Sequence, residues 1–270
     1  MPSIHITLKA ETLFTLAGIP ISNSLLTTWI VMALLIWMAL AVSSNIRMIP
    51  GSLQLIMEML IGGIHDLFEE ILHEKNKIYF SFLMTLFIFI IAMNWSGLFP
   101  GVGTIGIYKN EEKSTAGFAT PVAAIKDDLK AEEKRSGESV FVPLFRSGSA
   151  DLNMTFALAL LTMGYIQYAG LKTLGLDYIK KFINTSDPMN FVVGILELIS
   201  EFARIVSFAF RLFGNIFAGE VLLTVIAFLI PILAPIPFLG LEVFIGFIQA
   251  LVFPLLAAVF FSMATSKAEH

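Results

Sequence analysis

Six ionisable side chains lie in the last third of the chain, inside stretches that are otherwise strongly apolar. A charged side chain at the centre of a membrane helix costs about 2.5–3.5 kcal/mol on insertion scales, so these six must face protein or water rather than lipid. Charges in such positions mark an ion path, a proton relay or a binding site, and buried structural ion pairs are the alternative. The six residues are Glu197, Glu201, Arg204, Arg211, Glu220 and Glu242.

The spacing of these residues predicts one charged stripe on one long helix. Glu197, Arg204 and Arg211 follow one another at intervals of seven residues, which is two helical turns. Glu201 lies on the same stripe and can pair with Arg204 at the i+3 spacing, so Arg204 could also be a simple structural partner of its neighbours. Glu220 comes nine residues after Arg211, which places it on the opposite side of the helix and about 13 Å further along.

A helical hairpin that turns near Ile230–Pro231 brings two pairs of side chains level. Arg211 comes opposite the uncharged amide of Gln249, and Glu220 comes opposite Glu242. Neighbouring carboxyl groups can share a proton, whereas arginine keeps its proton in proteins. Acidic groups on both sides of a permanent cation indicate two proton-accessible regions with a barrier between them.

The composition shows what kind of protein must position these residues. Hydrophobic residues make up 57% of the 270 residues and charged residues only 14%, whereas soluble domains have about a quarter charged residues. Of the 38 Asp, Glu, Lys and Arg residues, 14 lie between Lys109 and Arg146, which leaves long stretches nearly free of charge. The sequence therefore predicts an all-α polytopic membrane protein.

Apolar stretches long enough to cross about 30 Å of hydrocarbon predict five membrane-crossing helices. One amphipathic helix at the membrane interface is predicted at 51–75, because acidic residues interrupt its apolar positions. Residues 1–24 and 101–150 are predicted to lie outside the membrane, the second range as a solvated loop. The five crossing helices are predicted at 25–46, 78–100, 151–172, 188–230 and 241–266.

The stretch 188–230 is about twice as long as a membrane crossing requires. It must therefore lie strongly tilted, break at a glycine, or protrude from the membrane. Before the third crossing helix, Asp151 is predicted to act as the N-terminal cap.

Several classes of site are excluded by residue types that are missing or misplaced. The chain has no cysteine, hence no disulfide, iron–sulfur cluster or cysteine-based zinc site. Its four histidines lie outside the long apolar runs, which argues against a membrane cytochrome with two histidine ligands. It has no phosphate-binding G-x-x-x-x-G-K-[ST] loop, and its N-terminus does not have the pattern of a cleaved signal peptide. We expect no cofactor, no metal and no nucleic-acid partner.

At this point the residues resemble a known family, subunit a of F-type ATP synthases. The resemblance covers the chain from Ser22 onward, and its most specific part is an eleven-residue run around the central arginine. A second match lies at Ile248-Gln249-Ala250, and weaker ones lie at Asn94 and at Ala150-Asp151-Leu152-Asn153. The arginine run is Phe210-Arg211-Leu212-Phe213-Gly214-Asn215-Ile216-Phe217-Ala218-Gly219-Glu220.

The resemblance implies the stator half of a proton turbine, packed against a ring of c subunits through a long tilted C-terminal hairpin. Arg211 would face the ring carboxylate, keep it deprotonated as it passes, and prevent direct proton leakage. Glu220 and Glu242 would line a half-channel open to the periplasm. Asn215 and Gln249 would be polar neighbours of Arg211.

Further implications concern the opposite path, the partners and the location. Glu197, with Glu201 and Arg204, would belong to the path towards the cytoplasm. The partners would be the c-ring, the peripheral-stalk subunit b, the rest of the complex and the lipid bilayer. The chain would have no catalytic activity of its own. It would translocate H⁺, with Na⁺ as the alternative because the ring largely decides the ion.

The resemblance also implies a bacterial inner membrane, with a periplasmic N-terminus and a cytoplasmic C-terminus. Charge counting does not decide this orientation, because the two sides carry eight and seven basic residues.

Two departures from the family pattern matter. The loop at 101–150 is longer than the bacterial family usually has. Glu220 and Glu242 are both glutamates where many members pair a carboxylate with a histidine, so the division of protons between them stays open.

The main alternative function is a secondary ion-coupled transporter whose binding site is the set of buried charges. The sequence has no internal repeat of the kind such transporters show, which counts against it. An intramembrane hydrolase is a weaker alternative. It would need a serine with a histidine inside the membrane or paired aspartates in facing spans, and the four histidines lie outside the long apolar runs.

Overall fold

The computed structural model describes residues 11–16, 19–44, 51–99, 102, 105–110, 139–175, 178–179, 182, 188–230 and 233–266. Five of its helices are long and apolar enough to cross a membrane. The prediction of an all-α polytopic membrane protein is therefore confirmed. The helices are α1 (Asn23–Ser43), α2 (Ser52–Leu72), α3 (Asn76–Ser96), α4 (Leu152–Leu174), α5 (Pro188–Leu229) and α6 (Pro235–Thr265), and α2 is the one outside the crossing set.

Two short antiparallel hairpins accompany the helices, and neither was predicted from the sequence. The first, β1 (Thr12–Leu16) with β2 (Ile19–Ser22), leads directly into α1. The second, β3 (Gly106–Asn110) with β4 (Ser139–Pro143), lies in the connection from α3 to α4. This second hairpin is joined to the start of α1, where the Asn23 amide donates to the Pro143 carbonyl at 3.2 Å.

The connection between α3 and α4, predicted to be a solvated loop at 101–150, includes a buried segment. Its last segment, including the short 3₁₀ helix Gly148–Ala150, is buried between α1, α3, α4 and the long helix α5. Here Asp151 caps α4 as predicted, because its carboxylate accepts a hydrogen bond from the Asn153 backbone at 2.9 Å. Residues 111–138 of the loop lie outside the described residues.

Helix α2 presents an apolar side to the bundle and an acidic side to the surroundings. Ile64, Phe68 and Leu72 are buried against the other helices, mainly α3 and α6, while Asp66 and Glu69 are exposed. This division matches the periodicity of the sequence, in which apolar residues recur every three or four positions.

The core lies where α3, α4 and α6 pack against one another. Small residues of α6 allow this close packing, because Ala257 and Ala258 are fully buried beside large aromatic side chains. The end of α6 is also tied to the start of α3, where the Lys75 ammonium donates to the Thr265 carbonyl at 2.9 Å and to its hydroxyl at 3.0 Å. The largest fully buried side chains include Phe68, Phe87, Phe253, Phe261 and Leu83.

Helix α5 runs without interruption for 42 residues, which corresponds to about 63 Å. Of the three options that its length left open, a break at a glycine is therefore excluded. The chain reverses after Leu229, and α6 begins at Pro235, six residues before the predicted start at 241. Proline is compatible with the first turn of a helix, because its missing N–H has no helical partner there.

Candidate functional site

A hydrogen-bonded network of polar side chains lies in the first half of α5. Arg204 forms an ion pair with Glu201, as the i+3 spacing predicted, and its Nη2 lies 3.9 Å from Oε1 of Glu197. The other Glu201 oxygen accepts a hydrogen bond from the Gln167 amide at 2.8 Å. The Gln167 oxygen accepts one from the Tyr178 hydroxyl at 2.6 Å. We call these five residues the far-side cluster, because they lie far from the α5–α6 turn.

Packing holds the far-side cluster in place. The Tyr178 ring lies on Gly170, where an added Cβ would come within 2.6 Å of it. Burial raises the pKa of Tyr178 to about 12, and the neighbouring Glu201 carboxylate adds to the rise. The Arg204 guanidinium lies 4.7 Å from the centre of the Phe260 ring. Beside the cluster, a mostly apolar cavity of about 660 Å³ lies between α4 and α5.

Arg211 lies seven residues further along α5, and its surroundings differ from those of Arg204. Within the described part of the chain, no carboxylate comes within 4.0 Å of its guanidinium. The Phe208 ring is 6.0 Å from its Cζ. Gln249, predicted to lie opposite Arg211, instead accepts a hydrogen bond from the Asn215 amide at 2.7 Å. The hairpin thus places Arg211 next to a polar pair but not next to a counter-ion.

A second group of charged residues lies near the α5–α6 turn. Arg146, from the connection before α4, donates from Nε and Nη2 to the same Glu220 oxygen, at 3.3 and 3.1 Å. Glu220 and Glu242, which were predicted to lie level with each other in the hairpin, both line one cavity of about 200 Å³. Arg146 and Asn94 also line this cavity. We call Arg146, Glu220 and Glu242 the turn-side cluster.

Helix α3 and a glycine of α5 fix the position of Glu242, which is only 8% exposed. One of its oxygens has no hydrogen-bond partner among the described residues. The other lies against Gly219, where a Cβ would approach it to 2.6 Å. One turn further along α6, the Asn94 amide donates to the Gly246 carbonyl at 2.9 Å. The carboxyl group of Glu242 therefore occupies a space that only a glycine at 219 leaves open.

The two clusters lie on opposite sides of Arg211. Glu201 and Glu220 are 19 residues apart, which is about 28 Å along the helix and close to the thickness of a membrane's hydrocarbon layer. Groups that can exchange protons therefore lie on both sides of a permanent cation.

Three polar residues of the clusters were missed by the sequence reasoning. Arg146, Gln167 and Tyr178 lie outside the α5–α6 hairpin, and the pattern in the hairpin gives no sign of their contacts. For Arg146 a weak indication existed, because it lies five residues before the Asp151 cap and therefore close to the start of a crossing helix.

One group of potential metal ligands lies elsewhere. His65, Asp66 and Glu69 of α2 hold ligand atoms within 4.8 Å of one another. The two carboxylates are more than half exposed at the surface of α2, and exposed acidic groups of this kind are common without an ion.

Comparison with known proteins decides the family. A family model described as ATP synthase A chain matches residues 25–262. The chain belongs to this family. ATP synthase subunit a of Geotalea daltonii is 29% identical over 233 residues, which cover 86% of this chain and 83% of the relative. The chain is thus a multi-pass membrane subunit of ATP synthase and belongs to the ion-translocating part of that complex.

Proposed function

We propose that this subunit forms two aqueous half-channels against the rotating c-ring, with Arg211 as the barrier between them. The observation that carries the proposal is the order of groups along α5. Acidic residues lie on both sides of one arginine that has no carboxylate within 4.0 Å in the described part of the chain. A charged arginine inside a membrane needs a counter-ion, and a carboxylate on the ring would supply it.

The electrostatics of Arg211 then explain how proton flow drives rotation. A ring carboxylate that approaches the guanidinium is stabilised in its charged form and gives up its proton before it passes. The guanidinium does not lose its own proton, so it cannot relay one, and its charge repels a hydrated proton. Protons must therefore cross by riding on the ring from one half-channel to the other, which couples their flow to rotary ATP synthesis.

The two clusters supply the two half-channels in this proposal. Glu220 and Glu242 exchange protons with one side of the membrane through their shared cavity, and Asn215 and Gln249 shape the surface next to Arg211. Glu197, with the Glu201–Arg204 ion pair, serves the other side. The subunit has no catalytic activity of its own, and the translocated ion is H⁺.

We place the turn-side cluster at the periplasmic face of a bacterial inner membrane. Five crossing helices put the two ends of the chain on opposite sides, and the α5–α6 turn lies on the same side as the N-terminal hairpin and the α3–α4 connection. The N-terminus is then periplasmic and the C-terminus cytoplasmic. Besides the c-ring, subunit b of the peripheral stalk is the partner we propose.

The test is ATP-driven proton pumping by the complete complex in liposomes. Arg211→Ala should abolish acidification of the lumen, while assembly of the complex and ATP hydrolysis by its soluble part remain. Lys172→Ala, which removes an exposed cation at the end of α4, is the matched control and should pump normally. Normal pumping by Arg211→Ala would show that Arg211 is not the barrier, and the charged residues of α5 would then be interpreted as structural ion pairs.

A further inference from the structure

Arg146 is held in the turn-side cluster by its backbone. Its N–H donates to the Thr27 hydroxyl of α1 at 3.3 Å, and the next residue, Ser147, donates its hydroxyl to the Met93 carbonyl of α3 at 3.0 Å. At Gly148 a Cβ would come within 1.7 Å of the Met93 side chain. The segment is therefore wedged between two crossing helices, and the Arg146 side chain, only 7% exposed, is directed by that wedge.

Arg146 and Glu220 differ in burial and in how firmly each is held, and this difference indicates the role of Arg146. Two guanidinium nitrogens donate to a single carboxylate oxygen, while the Glu220 side chain stays 41% exposed. The cation is thus the buried and fixed partner, and the carboxylate is held at the edge of the cavity. Because an arginine remains charged in a protein, its two hydrogen bonds to the carboxylate are charge-assisted and hold that side chain in place.

The number of charged groups around the cavity gives Glu220 and Glu242 different roles. The charged or titratable groups that line the cavity, among the described residues, are Arg146 from the loop, Glu220 from α5 and Glu242 from α6, while α3 contributes the neutral Asn94. One guanidinium balances one carboxylate. Glu242, the buried carboxyl group, then has no cation of its own among these groups, so it is the one whose charge is costly and which is left to hold a proton.

We infer that Arg146 is a positioning residue of the periplasmic half-channel, which fixes Glu220 as its counter-ion and leaves Glu242 to carry the proton. This inference rests on the proposed function and adds a division of labour between the two glutamates. Glu242 fits its part, because it is buried and one of its oxygens has no hydrogen-bond partner among the described residues.

A set of variants in the complete complex tests this division through ATP-driven acidification of liposomes. Arg146→Gln leaves Glu220 without this cation and should slow pumping by about tenfold or more, and Glu220→Gln should do the same because it leaves the buried Arg146 without this carboxylate. The double variant Arg146→Gln/Glu220→Gln removes both charges. It should pump within about threefold of wild type, since Glu242 is intact. Glu242→Gln should abolish pumping alone and in the double background.

The double variant gives the decisive result. If it is as inactive as Glu220→Gln, then Glu220 itself carries the proton and the inference is wrong. Two further variants, Arg146→Lys and the exchanged pair Arg146→Glu/Glu220→Arg, keep one cation and one carboxylate at positions 146 and 220. Both should pump better than Arg146→Gln, and failure of both in assembled complexes also overturns the inference. If the double variant does not assemble, these two decide.

The same preparations separate this inference from the proposed function. Arg211→Ala tests the barrier and does not alter the turn-side cluster. Normal pumping by Arg211→Ala would contradict the proposed function. Loss of pumping in Arg211→Ala, together with an inactive double variant, would contradict only the role of Arg146.

Discussion

Replacement of Gly219 by alanine should strongly slow proton transport without weakening the fold. A Cβ at this position would lie 2.6 Å from Oε1 and 2.9 Å from Cδ of Glu242. The carboxyl group must then retreat by about 0.8 Å to reach an ordinary contact of 3.4 Å. The cavity beside it offers room, so the end of a flexible side chain moves and the helix backbones do not.

Two opposing terms keep the expected change in stability small. Alanine is more favourable than glycine in a helix by about 0.5–1 kcal/mol, and displacing a side chain from its rotamer costs about 0.5–1.5 kcal/mol. The free energy of unfolding should therefore change by less than about 1 kcal/mol. Function should respond far more strongly, because moving a reacting group by about 1 Å can lower a rate by about a hundredfold.

The assay compares the initial rate of ATP-driven lumen acidification with the melting temperature of the purified complex. Gly219→Ala should pump about ten- to a hundredfold more slowly than wild type at an unchanged melting temperature. Gly164→Ala, in α4, is the matched control because a Cβ there meets nothing within 4 Å. Pumping by Gly219→Ala within about twofold of wild type would refute the argument that the position of Glu242 sets the rate.

Three further perturbations test other parts of the structure. Asn215→Ala removes the hydrogen bond to Gln249, whose own amide nitrogen already has no partner among the described residues. Pumping by the assembled complex should therefore slow by about threefold or more, and an unchanged rate would contradict this expectation. Asn94→Ala removes the hydrogen bond to the Gly246 carbonyl and should lower the free energy of unfolding by about 1 kcal/mol, which thermal unfolding in detergent measures. The pKa of Tyr178 is raised from 10.0 to about 12, so the stability gained by burying its neutral hydroxyl is complete below pH 10 and is lost as the pH rises through 12. The melting temperature of wild type should therefore fall more than that of Tyr178→Phe over this pH range, and parallel falls would show that the hydroxyl is not buried.

Contacts within one helix could be predicted from the sequence because helical spacing is fixed. The pair of Glu201 and Arg204 follows from three residues of separation, and the cap by Asp151 follows from its place before an apolar run. The long helix α5 could also be predicted, because neither a proline nor a long run of polar residues divides the sequence between Pro188 and Ile230.

Contacts between elements were predicted only approximately, because they depend on the geometry of the turn. The predicted hairpin has a single reversal point near 230, whereas α5 ends at Leu229 and α6 begins at Pro235. This longer reversal shifts the pairing, so that Gln249 meets Asn215, about one turn beyond the predicted Arg211. Arg146 could not be found in this way at all, because 74 residues separate it from Glu220.

The distribution of ion pairs along α5 supports the proposed contact between Arg211 and the ring. At one end Arg204 pairs with Glu201, and at the other Arg146 pairs with Glu220. Each end of the helix thus balances a cation with a carboxylate from this chain. Arg211, between them, has no such carboxylate in the described part of the chain, although an uncompensated charge is most costly at the centre of a membrane. Each end of α5 thus has an ion pair within this chain, and the described residues supply none for Arg211; in the proposed function, a carboxylate of the ring takes that place.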